Sequence, residues 1–171
     1  MTLSLYDISV PALIRGLENL AHVIDKAAAH AREHGQDPAD LVQARLAPDM
    51  LNLAGQVQRA SDTAKFGAAR LSQGESPSFA DDETTLEQLI LRIARTVDYL
   101  RSVDPADIAG GEARDIRFRA SAQELHFVAA DYVRQFLLPN FYFHLTTAYG
   151  LLRHKGIPLG KPDYLRGAGA G

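Results

Sequence analysis

Apolar residues recur every three or four positions in four long stretches of the chain, the pattern of helices with one buried face. In the first stretch the repeating positions are Leu13, Leu17, Leu20, Ile24 and Ala27. This helix is predicted to begin at Val10, with Pro11 in its first turn, where a proline has no hydrogen bond to lose. It is predicted to end at about His34, since Gly35 is a favourable C-cap.

The other three stretches predict helices of similar length. The second helix is predicted to run from Pro48 to about Ser72, with an apolar stripe formed by Met50, Leu53, Ala54, Val57, Ala60, Ala64, Ala68 and Leu71. The third is predicted to begin at the acidic residues 81–83, and its stripe is Leu86, Leu89, Ile90, Ile93, Val97 and Leu100. The fourth is predicted from about Ala130 to Lys155, with Gly156 as its stop.

The connections between these stretches are predicted to carry two smaller features. Residues 37–42 form a short helix within the first connector, and residues 116–118 and 125–127 alternate apolar and polar positions, as the strands of a β-hairpin do. Short connections favour antiparallel neighbours. The predicted fold is therefore all-α: an up-down-up-down four-helix bundle with a small β-hairpin before the last helix.

The length of the chain favours one structural unit. A chain of 171 residues is the size of one typical domain. We predict one domain over residues 1–165, followed by a flexible, glycine-rich tail over residues 166–171.

Composition narrows the classes of function. The net charge is −3, and basic residues are mixed with acidic ones, which argues against a nucleic-acid partner. The chain has no cysteine, so thiolate catalysis and cysteine-ligated metals are excluded. No apolar run approaches the roughly 20 residues needed to span a bilayer, and the N-terminus lacks the pattern of a secretion signal. We therefore expect a cytoplasmic protein without a membrane partner.

The fourth stretch contains two polar residues in an otherwise apolar stripe. The stripe consists of Val133, Leu137, Asn140, His144, Ala148 and Leu151. Because Asn140 and His144 are four positions apart, their side chains project to the same place on the helix. Pro139 precedes them, and a proline inside a helix usually produces a kink. A kink beside two inward polar groups is typical of functional sites.

The second helix offers possible partners for these residues. Gln58, Asp62 and Lys65 lie along the flank of its apolar stripe. If the second and fourth helices adjoin, these residues and the pair Asn140 and His144 form a pocket with a carboxylate, an imidazole, an ammonium and two amides.

Two structural explanations of these residues stay open. His144 is equally consistent with a buried histidine satisfied by neighbouring polar groups. Asp62 and Lys65 are also consistent with a surface ion pair worth less than about 1 kcal/mol. As a transition-metal site the set is poor, because zinc and nickel usually require three histidine or carboxylate ligands.

Two segments resemble the last helix of the DinB/YfiT-like superfamily. They are residues 140–144 and residues 152–158, which match a helix that carries His-x-x-x-His and ends in Leu-Arg-x-x-Gly-x-Pro. The whole chain is more closely similar to an uncharacterised bacterial branch known as a domain of unknown function. That similarity is carried by residues 4–7, 46–50, 60–65 and 139–141.

The resemblance implies a four-helix bundle and a specific ancestral site. In the superfamily, three histidines bind a divalent metal, one on the second helix and two on the fourth, and some members are thiol-dependent transferases or isomerases. His144 matches one fourth-helix ligand, but Asn140 stands at the position of the other. Gln58 or Asp62 stands near the position of the second-helix histidine. We therefore expect no cofactor, with zinc or nickel bound through His144 and Asp62 as the alternative.

Three functions are consistent with these observations. The leading hypothesis is a homodimeric bundle with a degenerate metal site that binds a small polar ligand in its core pocket. The enzymatic alternative is a metal-dependent hydrolase or thiol transferase. The third is a structural or regulatory homodimer that binds a partner protein.

Overall fold

Helices account for most of the protein in the computed structural model, which describes residues 3–120 and 122–166. The helices are α1 (Val10–Glu33), α2 (Pro38–Val42), α3 (Leu53–Ser72), α4 (Leu86–Ser102), α5 (Pro105–Ile108), α6 (Ala129–Asp131), α7 (Leu138–His154) and α8 (Lys161–Arg166). A π-helical segment, Tyr132–Leu137, joins α6 to α7, and the strands are β1 (Asp115–Ala120) and β2 (Gln123–Val128). The predicted helical fold with a hairpin before its last long helix is confirmed.

Two long helices begin later than predicted, because polar side chains cap their first turns. The side chain of Asn52 accepts a hydrogen bond from the backbone N–H of Gly55 at 2.9 Å, so α3 begins at Leu53 and not at Pro48. Thr85 and Gln88 form a reciprocal capping box, so α4 begins at Leu86 rather than at residues 81–83. The apolar stripes of both helices are buried as predicted, apart from Met50, which now precedes α3, and Ile90, which is partly exposed.

The four long helices surround a common apolar core. α1 packs mainly against α4 and α7, and α3 packs mainly against the same two helices. α3 and α7 run antiparallel, since Gln56 contacts His144 while Thr63, further along α3, contacts Asn140, which is earlier in α7. The second and fourth predicted helices therefore adjoin.

α3 and α4 run parallel. The connector between them, residues 73–85, begins where both helices end, since the hydroxyl of Tyr99 donates to the carbonyl of Glu75 at 2.9 Å. It ends where both helices begin, since the amide of Gln58 donates to the carboxylate of Glu83 at 2.8 Å. The predicted up-down-up-down order is therefore not confirmed, because this connector runs back along the helices and does not turn tightly at one end.

The hairpin lies over one end of the α3–α7 pair. Its strands are antiparallel, with Asp115 opposite Val128. Phe118 of β1 packs edge-on against Tyr132 and Phe136, with ring centroids 5.6 Å and 5.0 Å apart. These aromatic contacts attach the hairpin to the π-helical segment.

The π-helical segment lies directly before Pro139, where the sequence predicted a kink. The backbone N–H of Leu138 donates to the carbonyl of Val133, five residues earlier. Pro139, the second residue of α7, has no N–H to donate, and its ring needs space next to the preceding turn. A wider π turn directly before the proline provides that space.

The C-terminal helix α8 packs against α1. The carboxylate of Asp163 lies 2.7 Å from Nζ of Lys26 and 3.4 Å from Nε2 of His22. Of the predicted flexible tail, Arg166 is the last residue of α8, and residues 167–171 lie outside the described part of the chain. Within residues 3–120 and 122–166, no helix is long and apolar enough to cross a membrane.

Candidate functional site

The two polar residues predicted to share a face of the last helix both contact α3. Nδ1 of His144 lies 2.8 Å from Oε1 of Gln56. Nδ2 of Asn140 donates to Oγ1 of Thr63 at 2.9 Å. Both contacts are partly buried in the seam between α3 and α7. His144 thus lies within reach of the second long helix, as predicted, but, contrary to the prediction, it is only half-buried and does not point into the core.

The environment of His144 favours its neutral form. Burial lowers the pKa of its imidazole below the usual 6.5, and the positive charge of Arg59 lowers the pKa further. Because an amide oxygen accepts, Nδ1 carries the proton in the neutral ring, and Nε2 is a free acceptor. Nε2 has no hydrogen-bond partner among the described residues.

Asp62 is held by three cations. Its carboxylate lies 3.0 Å from Nη2 of Arg92, 3.2 Å from Nζ of Lys65 and 3.1 Å from Nη2 of Arg59. Arg92 and Lys65 are almost fully buried, with side chains 2% and 3% exposed. The pair of Asp62 and Lys65 is thus part of a buried network and not an isolated surface ion pair.

Two of the predicted pocket residues lie outside the α3–α7 seam. Gln58 donates to Glu83 in the connector before α4. The ammonium of Lys65 lies 3.7 Å from the centre of the Phe66 ring and 5.5 Å from that of Phe79. Gln58 therefore faces the connector, and Lys65 is enclosed between Asp62 and the two aromatic rings.

A groove of about 270 Å³ lies between α3, α7 and the hairpin. Three of the predicted residues line it: Asp62, Asn140 and His144. Residues that the sequence analysis did not select complete the lining: Arg59, Thr63, Phe66, Arg70, Phe118, Arg119, Ala120 and Phe136. We call this the α3–α7 groove. It lies at the seam of two helices and under the hairpin, and not in the centre of the bundle.

Arg70 is positioned at the hairpin end of the groove. Its Nη1 donates to the hydroxyl of Tyr132 at 3.0 Å. Its guanidinium lies 4.0 Å from the centre of the Phe118 ring, within the range of a cation–π contact. These two contacts hold the guanidinium in one orientation.

A second, larger groove of about 440 Å³ lies between α1, α7 and α8. Two of its polar side chains already bind the backbone of α8: Arg15 donates to the carbonyl of Leu165 at 3.0 Å and Asn19 to that of Tyr164 at 2.8 Å. Because these groups attach the C-terminal helix, the α3–α7 groove is the stronger candidate for a ligand site.

The residue that binds His144 was not predicted. Gln56 lies three positions after Leu53 and four before Ala60, so it belongs to the apolar stripe of α3 itself. A polar residue inside an apolar helical stripe is the pattern by which Asn140 and His144 were identified, and Gln56 shows the same pattern. Gln58, which was chosen instead, is about 200° further around the helix.

The side chains at this site do not match a three-ligand metal centre. Within residues 3–120 and 122–166, no group of three or more His, Cys, Asp or Glu side chains is arranged to hold a metal ion. His144 faces the amide of Gln56, and Asn140 faces a hydroxyl. Amide and hydroxyl groups are weak ligands for zinc or nickel compared with imidazole.

The helical architecture, with its polar site between the second and fourth long helices, defines a bundle protein of the DinB type. The chain belongs to the domain of unknown function family DUF1993, which matches it over residues 5–165. Its structure is similar to that of a DinB family member protein from Shewanella denitrificans, with 41% sequence identity and a TM-score of 0.86. That match covers 94% of this chain and 91% of the Shewanella chain. Comparison with functionally curated proteins gave no significant match.

Proposed function

We propose that this protein binds a small polar ligand in the α3–α7 groove, at a degenerate form of the DinB metal site. The observation that carries this proposal is the hydrogen bond between His144 and Gln56. It occupies Nδ1 and leaves Nε2 of a partly buried, neutral imidazole as an acceptor in a groove. Such a group binds a ligand N–H or O–H, and Asn140 lies one helical turn away.

A purely structural role for His144 accounts for only one of its two ring nitrogens. Nδ1 binds Gln56, whereas Nε2 has no partner among the described residues and is open to the groove. The groove also contains the exposed Arg119, for which the described residues provide no ion-pair partner within 4.0 Å.

The metal-dependent hydrolase or thiol transferase remains the enzymatic alternative. It requires strong ligands beside His144, and Asp62 is the nearest carboxylate among the groove residues. Asp62 is already the counter-ion of Arg59, Lys65 and Arg92. Recruiting it to a metal would leave the buried Lys65 without its carboxylate partner, which is costly, whereas Arg92 would keep Asp81 and Glu83.

The metal content of the protein tests this part of the proposal. Protein purified without a histidine tag is dialysed against metal-free buffer, and zinc and nickel are measured beside the variant His144→Ala. We expect well under one metal per chain in both proteins. One metal per chain in the parent and none in the variant would support the metalloenzyme.

Ligand binding is tested directly by NMR on the ring signals of His144. The probes are benzamide, benzoate and phenyl phosphate, each titrated into parent protein and into Asn140→Leu. We expect at least one probe to shift the His144 signals of the parent, and to do so less in the variant. If none of the three moves these signals, the ligand-binding proposal fails.

We also propose that the protein is a homodimer located in the cytoplasm. Large apolar side chains that are exposed in the single chain support the dimer, since such groups are enriched at interfaces. Leu91 on α4 is 60% exposed and Phe143 on α7 is 57% exposed. Sedimentation velocity measures the assembly state. A dimer that binds none of the probes would favour the structural or regulatory alternative.

A further inference from the structure

We infer that the ligand of the α3–α7 groove is a small aromatic carboxylate, whose carboxylate binds Arg70 and Arg119. This inference rests on the proposed function and specifies the chemical class of its ligand. It follows from the charges of the groove, the aromatic side chains along it and the distance between its two ends.

The charges at the His144 end of the groove balance one another. Arg59, Lys65 and Arg92 are the three cations there. Asp62 contacts all three of them, at 3.0 to 3.2 Å. Two further carboxylates, those of Asp81 and Glu83, contact Arg92 at 3.0 and 2.9 Å. Three cations thus face three carboxylates, and this network has no charge left for a ligand.

The hairpin end of the groove, by contrast, has two arginines that form no ion pair within 4.0 Å among the described residues. Arg70 hydrogen-bonds only to the neutral hydroxyl of Tyr132 among the described residues. Arg119 is exposed on β1, and Glu124 lies opposite it on β2 without forming an ion pair within 4.0 Å. Two positive charges therefore remain available where the groove meets the hairpin. An anion is the ligand that complements them.

The lining of the groove favours a carboxylate over a phosphate. The planar fork of N–H groups of an arginine matches the oxygens of either anion, so the choice between them depends on the other donors at the site. Phosphate sites typically add backbone N–H groups from a glycine-rich loop or a helix N-terminus. The described lining residues include no glycine and none from the first turn of α3.

The walls of the groove are suited to a flat apolar group. Three aromatic rings, those of Phe66, Phe118 and Phe136, line it. Since a cavity of about 150 Å³ holds benzene, about 270 Å³ admits one substituted ring. Phe136 and His144, which both line the groove, are about 12 Å apart along the helix. An aromatic ligand whose carboxylate binds Arg70 therefore has the opposite edge of its ring directed towards His144.

The test compares benzoate with its neutral analogue benzamide by calorimetry and by His144 NMR signals. The two molecules share size and shape, and only benzoate carries a charge. We expect benzoate to bind at least about tenfold more tightly, as the loss of one charge-assisted hydrogen bond predicts. We also expect 4-hydroxybenzoate to bind more tightly than benzoate, because its hydroxyl can donate to Nε2 of His144.

Variants locate the binding of the carboxylate. Arg119→Gln removes an exposed charge from the groove, and Arg134→Gln removes an exposed charge that lies outside it. Arg70→Lys keeps the charge of Arg70 and removes the planar fork. We expect Arg119→Gln and Arg70→Lys to weaken benzoate binding about tenfold or more, while Arg134→Gln and benzamide binding change little.

Other results separate this inference from the proposed function. If benzamide binds as tightly as benzoate, the groove binds polar ligands but the carboxylate assignment is wrong. It is also wrong if Arg119→Gln affects benzoate no more than Arg134→Gln does. Tighter binding of phenyl phosphate than of benzoate would assign the site to phosphate instead. If none of the probes binds, both the inference and the proposed function fail.

Discussion

Nδ1 of His144 and Oε1 of Gln56 lie 2.8 Å apart and form one of two side-chain hydrogen bonds that join α7 to α3, the other being that of Asn140 to Thr63. His144 thus faces an amide at the seam between the two helices, where the DinB resemblance implies a metal ligand.

The first prediction concerns the pH dependence of stability. The unfolded chain protonates His144 near pH 6.5, whereas burial lowers the pKa of this residue in the folded protein. The contribution of His144 to the free energy of unfolding is therefore complete above about pH 6.5. It is lost as the pH falls towards the lower pKa of the folded protein. Urea unfolding measures the free energy of unfolding of the parent and of His144→Gln. Between about pH 7.5 and about pH 5, this free energy should fall more in the parent than in the variant. A difference in unfolding free energy between the two proteins that stays the same at every pH would contradict this prediction.

The second prediction distinguishes two glutamines on α3. Gln56→Leu removes the acceptor for Nδ1 of His144 in a buried setting, and should lower the free energy of unfolding by about 1–3 kcal/mol. Gln58→Leu is the matched control, because Gln58 bonds to Glu83 and does not line the α3–α7 groove. Only Gln56→Leu should also shift the His144 ring signals. Equal shifts in both variants would show that this pairing is wrong.

The third prediction concerns the close approach of α3 to the π-helical segment. A Cβ atom at Gly67 would overlap the side chain of Leu137. Gly67→Ala should therefore destabilise the protein by about 1–3 kcal/mol through overpacking. Gly150→Ala is the control, since a Cβ there meets no atom within 4 Å and alanine favours helix by up to about 1 kcal/mol. Relative to the parent, the midpoint of thermal unfolding should fall in Gly67→Ala and rise in Gly150→Ala.

Helical periodicity predicted the buried faces because burial depends on local spacing. Leu13, Leu17 and Ile24 of α1 are each fully buried, as their spacing indicated. The starts of α3 and α4 were misplaced because capping depends on a single side chain, and both Asn52 and Thr85 follow other residues suited to helix starts. Connection length alone did not establish helix direction, because a connector over residues 73–85 is long enough to span a helix.

The site was only partly predictable, because a pocket requires knowledge of which helices adjoin and at which register. Asn140 and His144 were found because both interrupt an apolar stripe. Arg70 and Phe118 could not be assigned from spacing, since they come together only when the hairpin packs onto α3. Lys65 appears polar and exposed in the sequence, but its side chain is 3% exposed because Asp62 neutralises it.

The last prediction concerns the attachment of α8 to α1. The carboxylate of Asp163 accepts hydrogen bonds from Nζ of Lys26 and from the backbone N–H of Gly160, both at 2.7 Å. These contacts, with a smaller contribution from His22, lower the pKa of Asp163 from 3.8 to about 2. The side chain of His22 is only 24% exposed, since α8 covers part of its ring.

A lowered carboxylate pKa stabilises the fold above the unfolded pKa, so this contribution is present above about pH 3.8 and is lost as the pH falls to about 2. Asp163→Asn should therefore be less stable than the parent at neutral pH and equal to it at about pH 2. Amide hydrogen exchange should show faster exchange in α8 of this variant, while Asp98→Asn, at a site that is 78% exposed, should leave α8 unchanged. Unaltered protection of α8 in Asp163→Asn would mean that Arg15 and Asn19, which bind the backbone of α8, hold this helix without the carboxylate.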